Sequence, residues 1–270
     1  MQPRKPYSAP SQSLSPDMHA QIQDKLHQLA QQEPLTFLLA VESGSRAWGF
    51  ASSDSDYDVR TIYLRPLEYY LCIDEQRDTF EFIESHSLDI GGWDIRKALR
   101  LLRKSNAVLL EWLRSPIIYR QDDPFVRELN ALLPQYAQAA PLLHHYRSIA
   151  GNVLQSLILD APVRLKKWFY VLRSLLAARW TVQCGGVPPM TLAELMDSWA
   201  TPCIAEIREL VACKAEQDED YSHPLSPALC QLTITLAAEV AALTAPPTER
   251  VDDTPLNALF QATLQRVYGC

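Results

Sequence analysis

One segment near residue 50 constrains the fold of this chain more than any other. A run of seven mostly apolar residues leads into Gly44-Ser45, and ten residues later Asp56 and Asp58 stand at the start of a second run, in which apolar and polar residues alternate. Short apolar runs bounded by glycine and serine, and alternating runs of β-branched and aromatic residues, are typical of strands. The sequence therefore predicts two strands, over residues 35–41 and 57–64, joined by a turn and a loop.

The same segment carries the chemistry. Residues two apart in a strand point to the same side, so Asp56 and Asp58 present two carboxylates together. Such anions repel each other unless a cation joins them, and Mg²⁺ bound by one or two carboxylates plus substrate phosphates is the usual solution. The Gly44-Ser45 turn offers backbone N–H groups and a hydroxyl to a phosphate. The segment therefore predicts a site for a metal ion and a nucleotide.

The rest of the chain predicts a change from mixed structure to helices near residue 94. More strand is expected within residues 79–92, and Asp94 can cap a helix over residues 95–104. Beyond Pro124 almost every segment has helical periodicity. We therefore predict an α+β fold, in which a mixed sheet flanked by helices is followed by an all-α C-terminal domain. The expected parts are a flexible tail over residues 1–17, an α+β domain over 18–120 and a helical domain over 121–270.

Composition excludes several classes of protein. Of the 270 residues, 47% are hydrophobic and 21% are charged, which is typical of globular domains and not of disordered chains. No apolar window is long enough to cross a membrane, and the N-terminal residues lack the apolar segment of a secretory signal, so we expect a cytoplasmic protein without a membrane partner. The six cysteines contain no Cys-x-x-Cys pair. We therefore expect reduced, mostly buried thiols and neither a disulfide framework nor a zinc site.

The net charge of -7 is distributed unevenly. Residues 95–104 and 163–180 each contain five basic side chains and no acidic one, whereas the acidic run at 216–220 is expected to be a solvated loop. The first five basic residues fall on one side of a helical wheel and form a cationic ridge, which suits nucleic-acid phosphates and is also compatible with a solvated helix face. The ridge consists of Arg96, Lys97, Arg100, Arg103 and Lys104.

The second basic segment predicts a nucleotide contact. On the helical wheel, Lys166, Tyr170 and Arg173 share one stripe, at spacings of four and three residues. A lysine and an arginine can hold a triphosphate while a tyrosine stacks or donates a hydrogen bond. Taken alone, Tyr170 is better explained as a partly buried packing residue.

Residues 44–58 resemble the signature of the DNA polymerase β-like nucleotidyltransferase superfamily, in which Gly-Gly or Gly-Ser is followed at about this spacing by Asp-x-Asp between apolar residues. Ser43 departs from that pattern, because the family usually has an apolar residue before the glycine. More closely, the chain is similar to a bacterial subgroup of predicted nucleotidyltransferases, some of which are associated with RNA repair. The similarity is strongest over residues 43–116 and is carried by GSRAWG at 44–49, GWDIRKAL at 92–99, Asn106, Glu111-Trp112-Leu113 and Ser115-Pro116.

The resemblance implies the superfamily fold and the transfer of an NMP from an NTP to a hydroxyl acceptor, with release of pyrophosphate. It implies two Mg²⁺ or Mn²⁺ ions, held by Asp56, Asp58 and a third carboxylate from a later strand. Asp89, which has an apolar residue on each side, is the candidate we favour. Asp94 is the alternative, although its position before a helix also suits a cap. The residues expected to hold the β- and γ-phosphates are Gly44, Ser45 and Arg46.

The acceptor and the occurrence of turnover are left open by the sequence. We favour an RNA end as the acceptor, and a protein or a small molecule is the alternative. A different class of function, a nucleotide-sensing or antitoxin-like module without turnover, would also keep this fold. The intact pair of Asp56 and Asp58 favours the enzyme, because the decay of catalysis usually removes a metal ligand first.

Overall fold

The architecture is known from a computed structural model that describes residues 16–269 apart from 86, 198 and 200–202. Most of the expected N-terminal tail lies outside the described residues, and Pro16 and Asp17 begin the first helix instead of belonging to the tail. The strands are β1 (Thr36–Glu42), β2 (Tyr57–Leu64), β3 (Thr79–Ser85), β4 (Leu88–Asp94), β5 (Ile118–Gln121), β6 (Val163–Arg164) and β7 (Ser222–His223). The helices are α1 (Pro16–Gln32), α2 (Gly44–Trp48), α3 (Leu67–Tyr70), α4 (Ile95–Arg103), α5 (Ala107–Trp112), α6 (Asp123–Tyr136), α7 (Ala139–Leu154), α8 (Leu165–Gln183), α9 (Leu192–Asp197), α10 (Ile204–Ala215), α11 (Pro227–Ala242) and α12 (Thr254–Tyr268).

Five strands form one mixed sheet in the order β3-β4-β2-β1-β5. β2 and β4 run parallel, and the other neighbouring pairs are antiparallel. Six of the seven residues of β1 are buried, as expected for an inner strand that is covered on both faces. The α+β fold class and the first two predicted strands are confirmed, whereas β5 and the short β6–β7 pair were not predicted.

The two faces of the sheet contact different helices. Alternation along β2 sends Val59 and Tyr63 to one face, where they pack with Ile22 of α1. Ile62 and Leu64 point to the other face and join a buried cluster that continues through the helices after residue 94. Burial of this apolar surface attaches the sheet to the helical part of the chain. The predicted domain boundary at 120/121 falls inside β5.

Local sequence determines where the helices begin. The side chains of Asn106, Asp122 and Ser226 each accept a hydrogen bond from a backbone N–H in the first turn of the helix that follows, at 2.9 to 3.2 Å. These residue types are favoured caps because their oxygens satisfy amides that have no partner within the helix. The predicted helix over 95–104 is confirmed as α4, and it too has a side-chain cap.

The helices and the cysteines of the structure bear on two expectations from composition. Within the described part of the chain, every helix is too short or too polar to cross a membrane. The five cysteines in that part are free thiols, as expected. The expectation that they are mostly buried is wrong, because Cys72 and Cys184 lie exposed at the ends of helices and only Cys203 is buried.

The close contact between β2 and β4 predicts that one methyl group added at Gly92 strongly destabilises the fold. An added Cβ at Gly92 would lie 2.9 Å from the carbonyl oxygen of Thr61 and 2.7 Å from Cε1 of Phe80. We expect Gly92→Ala to lower the free energy of unfolding by about 1–3 kcal/mol or more. The control is Gly151→Ala in α7, where an added Cβ meets nothing within 4 Å. This variant should raise the free energy of unfolding by about 0.5–1 kcal/mol. Urea unfolding of both variants tests this, and equal stability would contradict it.

Candidate active site

Two of the predicted carboxylates lie side by side on neighbouring strands. Asp58 is the second residue of β2 and Asp89 is the second residue of β4, and the parallel register pairs them directly. Each side chain is 36% exposed, and adjacent strands are about 4.8 Å apart. Asp56 lies just before β2, is exposed, and its charge acts on Asp58. The structure thus pairs two of the three carboxylates that the sequence predicts as metal ligands, and the third, Asp56, lies just before β2.

The electrostatics of Asp58 reflect this crowding. Burial raises the pKa of Asp58, and the negative charges of Asp89 and Asp56 raise it further, while the positive charges of Arg60 and Lys166 lower it. A carboxylate that is partly desolvated and surrounded by other carboxylates is stabilised by any cation that approaches it. The cluster therefore favours the binding of positive charge.

Arg60 lies between the two paired carboxylates. Its Nη2 donates to Oδ1 of Asp58 at 3.1 Å and to Oδ2 of Asp89 at 2.7 Å. Arg60 was not predicted as a site residue, although its position two residues after Asp58 in a strand places both side chains on one face. The two-residue period of the strand is the signal that could have predicted it.

Gly44 makes room for the Asp58 carboxylate. Its φ of +63° is in the left-handed region, and an added Cβ would collide with Oδ2 of Asp58. Only glycine meets both requirements without strain. The structure therefore brings the Gly-Ser turn and the carboxylates together, while phosphate binding by the turn stays a prediction.

Ser45 and Arg46 hold the loop that leads to Asp56. The buried Ser45 hydroxyl donates to the hydroxyl of Ser55 at 3.2 Å. The Arg46 guanidinium lies 3.9 Å from the centroid of the Tyr57 ring and donates to the backbone carbonyls of Asp56, at 3.1 Å, and Ser55. Arg46 would have to leave these carbonyls to contact a phosphate.

Helix α8 forms one wall of a cavity near the carboxylates. Lys166 and Tyr170 line a cavity of about 450 Å³, a size within the range of small-molecule pockets, and the charge of Lys166 acts on Asp58. Tyr170 also packs edge-on against Trp48, with 4.7 Å between the ring centroids. Burial raises the pKa of Tyr170 to about 12, so its hydroxyl keeps its proton and can donate a hydrogen bond at neutral pH.

Glu219 connects this wall to the loop before β2. Its Oε2 accepts from Nζ of Lys166, and its Oε1 accepts from the hydroxyl of Ser55 at 3.0 Å. Beside it, the buried Lys214, whose pKa burial lowers to about 8, donates to the hydroxyl of Ser52 at 2.6 Å. The prediction of a solvated loop at 216–220 is therefore wrong for Glu219. No local pattern could have revealed this contact, because 164 residues separate Ser55 from Glu219.

Arg173 does not reach the cavity that Lys166 and Tyr170 line. It is only 3% exposed, its Nη1 pairs with Oε1 of Glu111 at 2.9 Å, and its Nε donates to the carbonyl of Met190 at 2.8 Å. The helical stripe predicted from the sequence is corrected here, because the helix turns Arg173 into the core. This arginine satisfies a buried carboxylate instead of facing a triphosphate.

Asp94, the alternative third carboxylate, has a structural role. Its carboxylate accepts from the backbone N of Arg96 at 2.8 Å and from the hydroxyl of Tyr70 at 2.6 Å, and it is 1% exposed. Burial raises the pKa of Asp94. At about 3.3 Å per residue of strand, it lies about 17 Å from Asp89 along β4. The predicted cap is confirmed, and this position is remote from the other carboxylates.

The cationic ridge begins at that remote end of β4, because α4 follows Asp94 directly. Two of its members have acidic partners from distant parts of the chain, Lys97 with Asp78 at 3.0 Å and Arg103 with Asp253 at 2.6 Å. The sequence segment contains no acidic residue, but in the fold these acidic partners make the ridge less positively charged than the segment alone suggests.

The remaining members of the ridge differ in what they contact. Arg96 lies over the rings of Tyr70 and Phe260, at 5.0 and 5.7 Å from their centroids. Arg100 and Lys104 are exposed. Between the ridge and α12 lies a cavity of about 230 Å³, which Arg96 and Arg100 line. The binding of an acceptor along the ridge stays a prediction.

The donor set of the carboxylate cluster suits Mg²⁺ or Mn²⁺, because its side chains offer carboxylate oxygens. Among the residues that the structure describes, no group of three or more His, Cys, Asp or Glu side chains is placed to hold a metal ion by itself. Mg²⁺ rarely uses such a cage, since it keeps waters and is bound by one or two carboxylates together with substrate phosphates. The residues present therefore fit an ion that arrives with a nucleotide.

A buried carboxylate lies behind the cluster and was not predicted. Glu42, the last residue of β1, is fully buried, and its Oε1 accepts from the backbone N of Asp58 at 3.0 Å while its Oε2 accepts from the hydroxyl of Tyr119 at 2.6 Å. Burial raises the pKa of Glu42 to about 7. Glu42 thus supports the backbone that carries Asp58.

Comparison with known proteins identifies the family. The RNA repair pathway DNA polymerase beta family matches over residues 18–262. The uncharacterized protein YcgL of Bacillus subtilis (strain 168) is 36% identical over 261 residues, which cover 93% of this chain and 98% of that protein. The solved structure of a nucleotidyltransferase-like protein from Exiguobacterium sibiricum 255-15 aligns with 92% of this chain and 76% of its own, at 12% identity and a TM-score of 0.31. The chain belongs to the RNA repair pathway DNA polymerase beta family, which confirms the resemblance in its sequence.

Glu42 predicts a pH dependence of stability. Its pKa in the folded protein, about 7, lies above the ordinary glutamate pKa of 4.5. Its contribution to stability is therefore fully present below pH 4.5 and is lost as the pH rises through 7. A shift of this size corresponds to about 3 kcal/mol. Glu42→Gln cannot titrate, and its free energy of unfolding relative to the natural chain should therefore rise by up to that amount between pH 4.5 and 8. Urea unfolding at both pH values measures the difference, and a constant difference would contradict the prediction.

Proposed function

We propose that this member of the RNA repair pathway DNA polymerase beta family is a metal-dependent nucleotidyltransferase, which moves an NMP from an NTP to a hydroxyl acceptor and releases pyrophosphate. The observation that carries the proposal is the direct pairing of Asp58 with Asp89 on parallel strands, close enough to Lys166 for its charge to act on Asp58. Carboxylates near a lysine can hold a metal ion and a triphosphate together.

Asp56, Asp58 and Asp89 would hold the Mg²⁺ or Mn²⁺, with two ions as the expected number. When bound, such ions polarise the transferring phosphate and favour deprotonation of the attacking hydroxyl. Lys166 would neutralise phosphate charge from α8, and Tyr170 would contribute a ring and a hydroxyl to the nucleotide. Catalysis of this kind consists of positioning and charge neutralisation.

Exchange of partners at Lys166 is part of this proposal. Its Nζ is held by Glu219, so an incoming triphosphate has to take the place of that carboxylate. The backbone of Gly44 and the hydroxyl of Ser45 would approach the β- and γ-phosphates, and Arg46 would join them after leaving the loop carbonyls. These roles follow from proximity to Asp58, which Gly44 contacts closely.

An RNA end is the acceptor that we propose. The name of the family supports it, and so do the exposed cations Arg100 and Lys104 of the ridge. The ridge begins about 17 Å from Asp89, which leaves room for a few nucleotides between a ridge contact and the reacting hydroxyl. The ridge would thus bind the acceptor strand upstream of its end.

The carboxylate pair provides the direct test of the activity. Asp58→Asn and Asp89→Asn should each reduce transfer by about a thousandfold or more, because each removes a metal ligand, while both proteins stay folded. Incorporation from each α-labelled NTP into total RNA or lysate, with Mg²⁺ or Mn²⁺, measures the activity and identifies the labelled acceptor.

Asp24→Asn, an exposed change on α1 at the other face of the sheet, is the matched control and should leave transfer unchanged. Transfer at the natural rate in both site variants would contradict the assignment. Nucleotide binding without incorporation or pyrophosphate release would indicate the sensing module instead, and label in a protein would replace RNA as the acceptor.

Two further variants separate the nucleotide contact from the acceptor contact. Lys166→Ala should weaken NTP binding by about 1.5–3 kcal/mol, the contribution of a charged hydrogen bond, and should spare RNA binding. The double variant Arg100→Ala, Lys104→Ala should spare NTP binding. It should reduce the salt dependence of RNA binding by about 0.7 in the logarithmic slope for each phosphate contact removed. Filter binding at several salt concentrations measures both, and an unchanged slope would show that the ridge is a solvated helix face.

A further inference from the structure

The contact between Arg60 and the carboxylates has an unusual geometry. One nitrogen, Nη2, touches both Asp58 and Asp89, at 3.1 and 2.7 Å. An arginine frequently binds a single carboxylate through two parallel N–H···O bonds from two nitrogens. Here a single N–H-bearing atom occupies the space between the two carboxylates.

The guanidinium is also held from its other side. Nη1 donates to the carbonyl oxygens of Val59, at 3.1 Å, and Asp89, at 3.3 Å. The side chain crosses β4 at Gly91, its partner in the strand register, where the position of an absent Cβ lies 3.5 Å from Nη1. Backbone and carboxylate contacts together fix Arg60 in this position.

We propose that Arg60 is the resident counter-ion of the Asp58–Asp89 pair and competes with a divalent metal ion for the position shared by both carboxylates. A cation that binds Oδ1 of Asp58 and Oδ2 of Asp89 would occupy the space that Nη2 occupies, and two positive charges cannot share it. Arg60 must therefore withdraw before an ion can bridge these two oxygens. This inference rests on the proposed function, because it concerns the same metal ligands.

The competition has a consequence for the order of binding. Without a nucleotide, Arg60 satisfies the pair and the chain binds a bridging ion weakly. An NTP brings negative charge to the site, which compensates the additional cation. The bridging ion therefore enters with the nucleotide, and Arg60 keeps the carboxylates together until it arrives.

The test measures Mn²⁺ binding to the whole chain without nucleotide or acceptor, from the electron paramagnetic resonance signal of free Mn²⁺. Arg60→Gln keeps a hydrogen-bond donor and removes the charge, and its affinity for Mn²⁺ should exceed that of the natural chain by about tenfold or more. Arg60→Lys keeps the charge and should bind Mn²⁺ close to the natural affinity. The additional change Asp58→Asn or Asp89→Asn should remove the gain of Arg60→Gln.

Arg46→Gln is the matched control, because Arg46 is a nearby cation that contacts Tyr57 and loop carbonyls and neither of the paired carboxylates. It should change the affinity far less than Arg60→Gln. Equal gains from both variants would show a general effect of net charge and overturn the proposal. Arg60→Gln with an affinity at or below the natural one would overturn it as well.

A measurement on the natural chain covers the case in which Arg60→Gln does not fold. The Nη resonances of Arg60, observed by nuclear magnetic resonance of a chain with labelled arginine, should change when Mg²⁺ is added to the complex with a non-hydrolysable NTP analogue. The analogue without Mg²⁺ is the control, and unchanged resonances at saturating Mg²⁺ would overturn the proposal. Because these experiments involve no turnover, the proposed transfer can fail while the competition at Arg60 stands, and the reverse also holds.

Discussion

The parallel pairing of β2 with β4 is the interaction on which the candidate site depends. It places Asp58 opposite Asp89, Arg60 opposite Gly91 and Thr61 opposite Gly92. Gly92 allows this close approach, because a side chain there would collide with the backbone of β2. A shift of register by one residue would turn every side chain of a strand to the other face and separate the carboxylates. The chemistry of the site is therefore a property of strand register, and the glycine at the strand contact is as much a part of it as the acids.

The second determinant is the contact between the loop before β2 and the helical part of the chain. Glu219 and Lys214 bind Ser55 and Ser52, and Ser53 contacts the carbonyl of Gln217. These bonds link residues about 160 positions apart. The loop that carries Asp56 is thus held by the same segment that holds Lys166. Movement of one wall of the cavity relative to the other has to break this network of hydrogen bonds.

The sequence predicted the parts of the fold whose signals are local. Alternation identified β2, the residue type at Asp94 identified a helix start, and the spacing of Gly44 and Asp58 placed a turn beside the carboxylates. β5 was missed because four residues after a proline give little periodicity. Arg173 was misassigned because a helical wheel reports which residues share a stripe and not which neighbour they face, and Glu111 lies 62 residues earlier in the chain. The partners of Arg60 and Glu219 depend on strand and domain contacts that have no local signature.

The ion pair between Lys166 and Glu219 has a consequence for how the cavity empties. A lysine that changes one anionic partner for another never stands alone in a partly buried place, so neither partner exchange includes the full cost of desolvating an unpaired charge. In the proposed reaction, a phosphate group would enter and leave by exchange with Glu219. The Glu219 carboxylate would return to Lys166 as the pyrophosphate leaves, and this return would oppose rebinding. The ion pair would thus weaken ligand binding and speed the release of product.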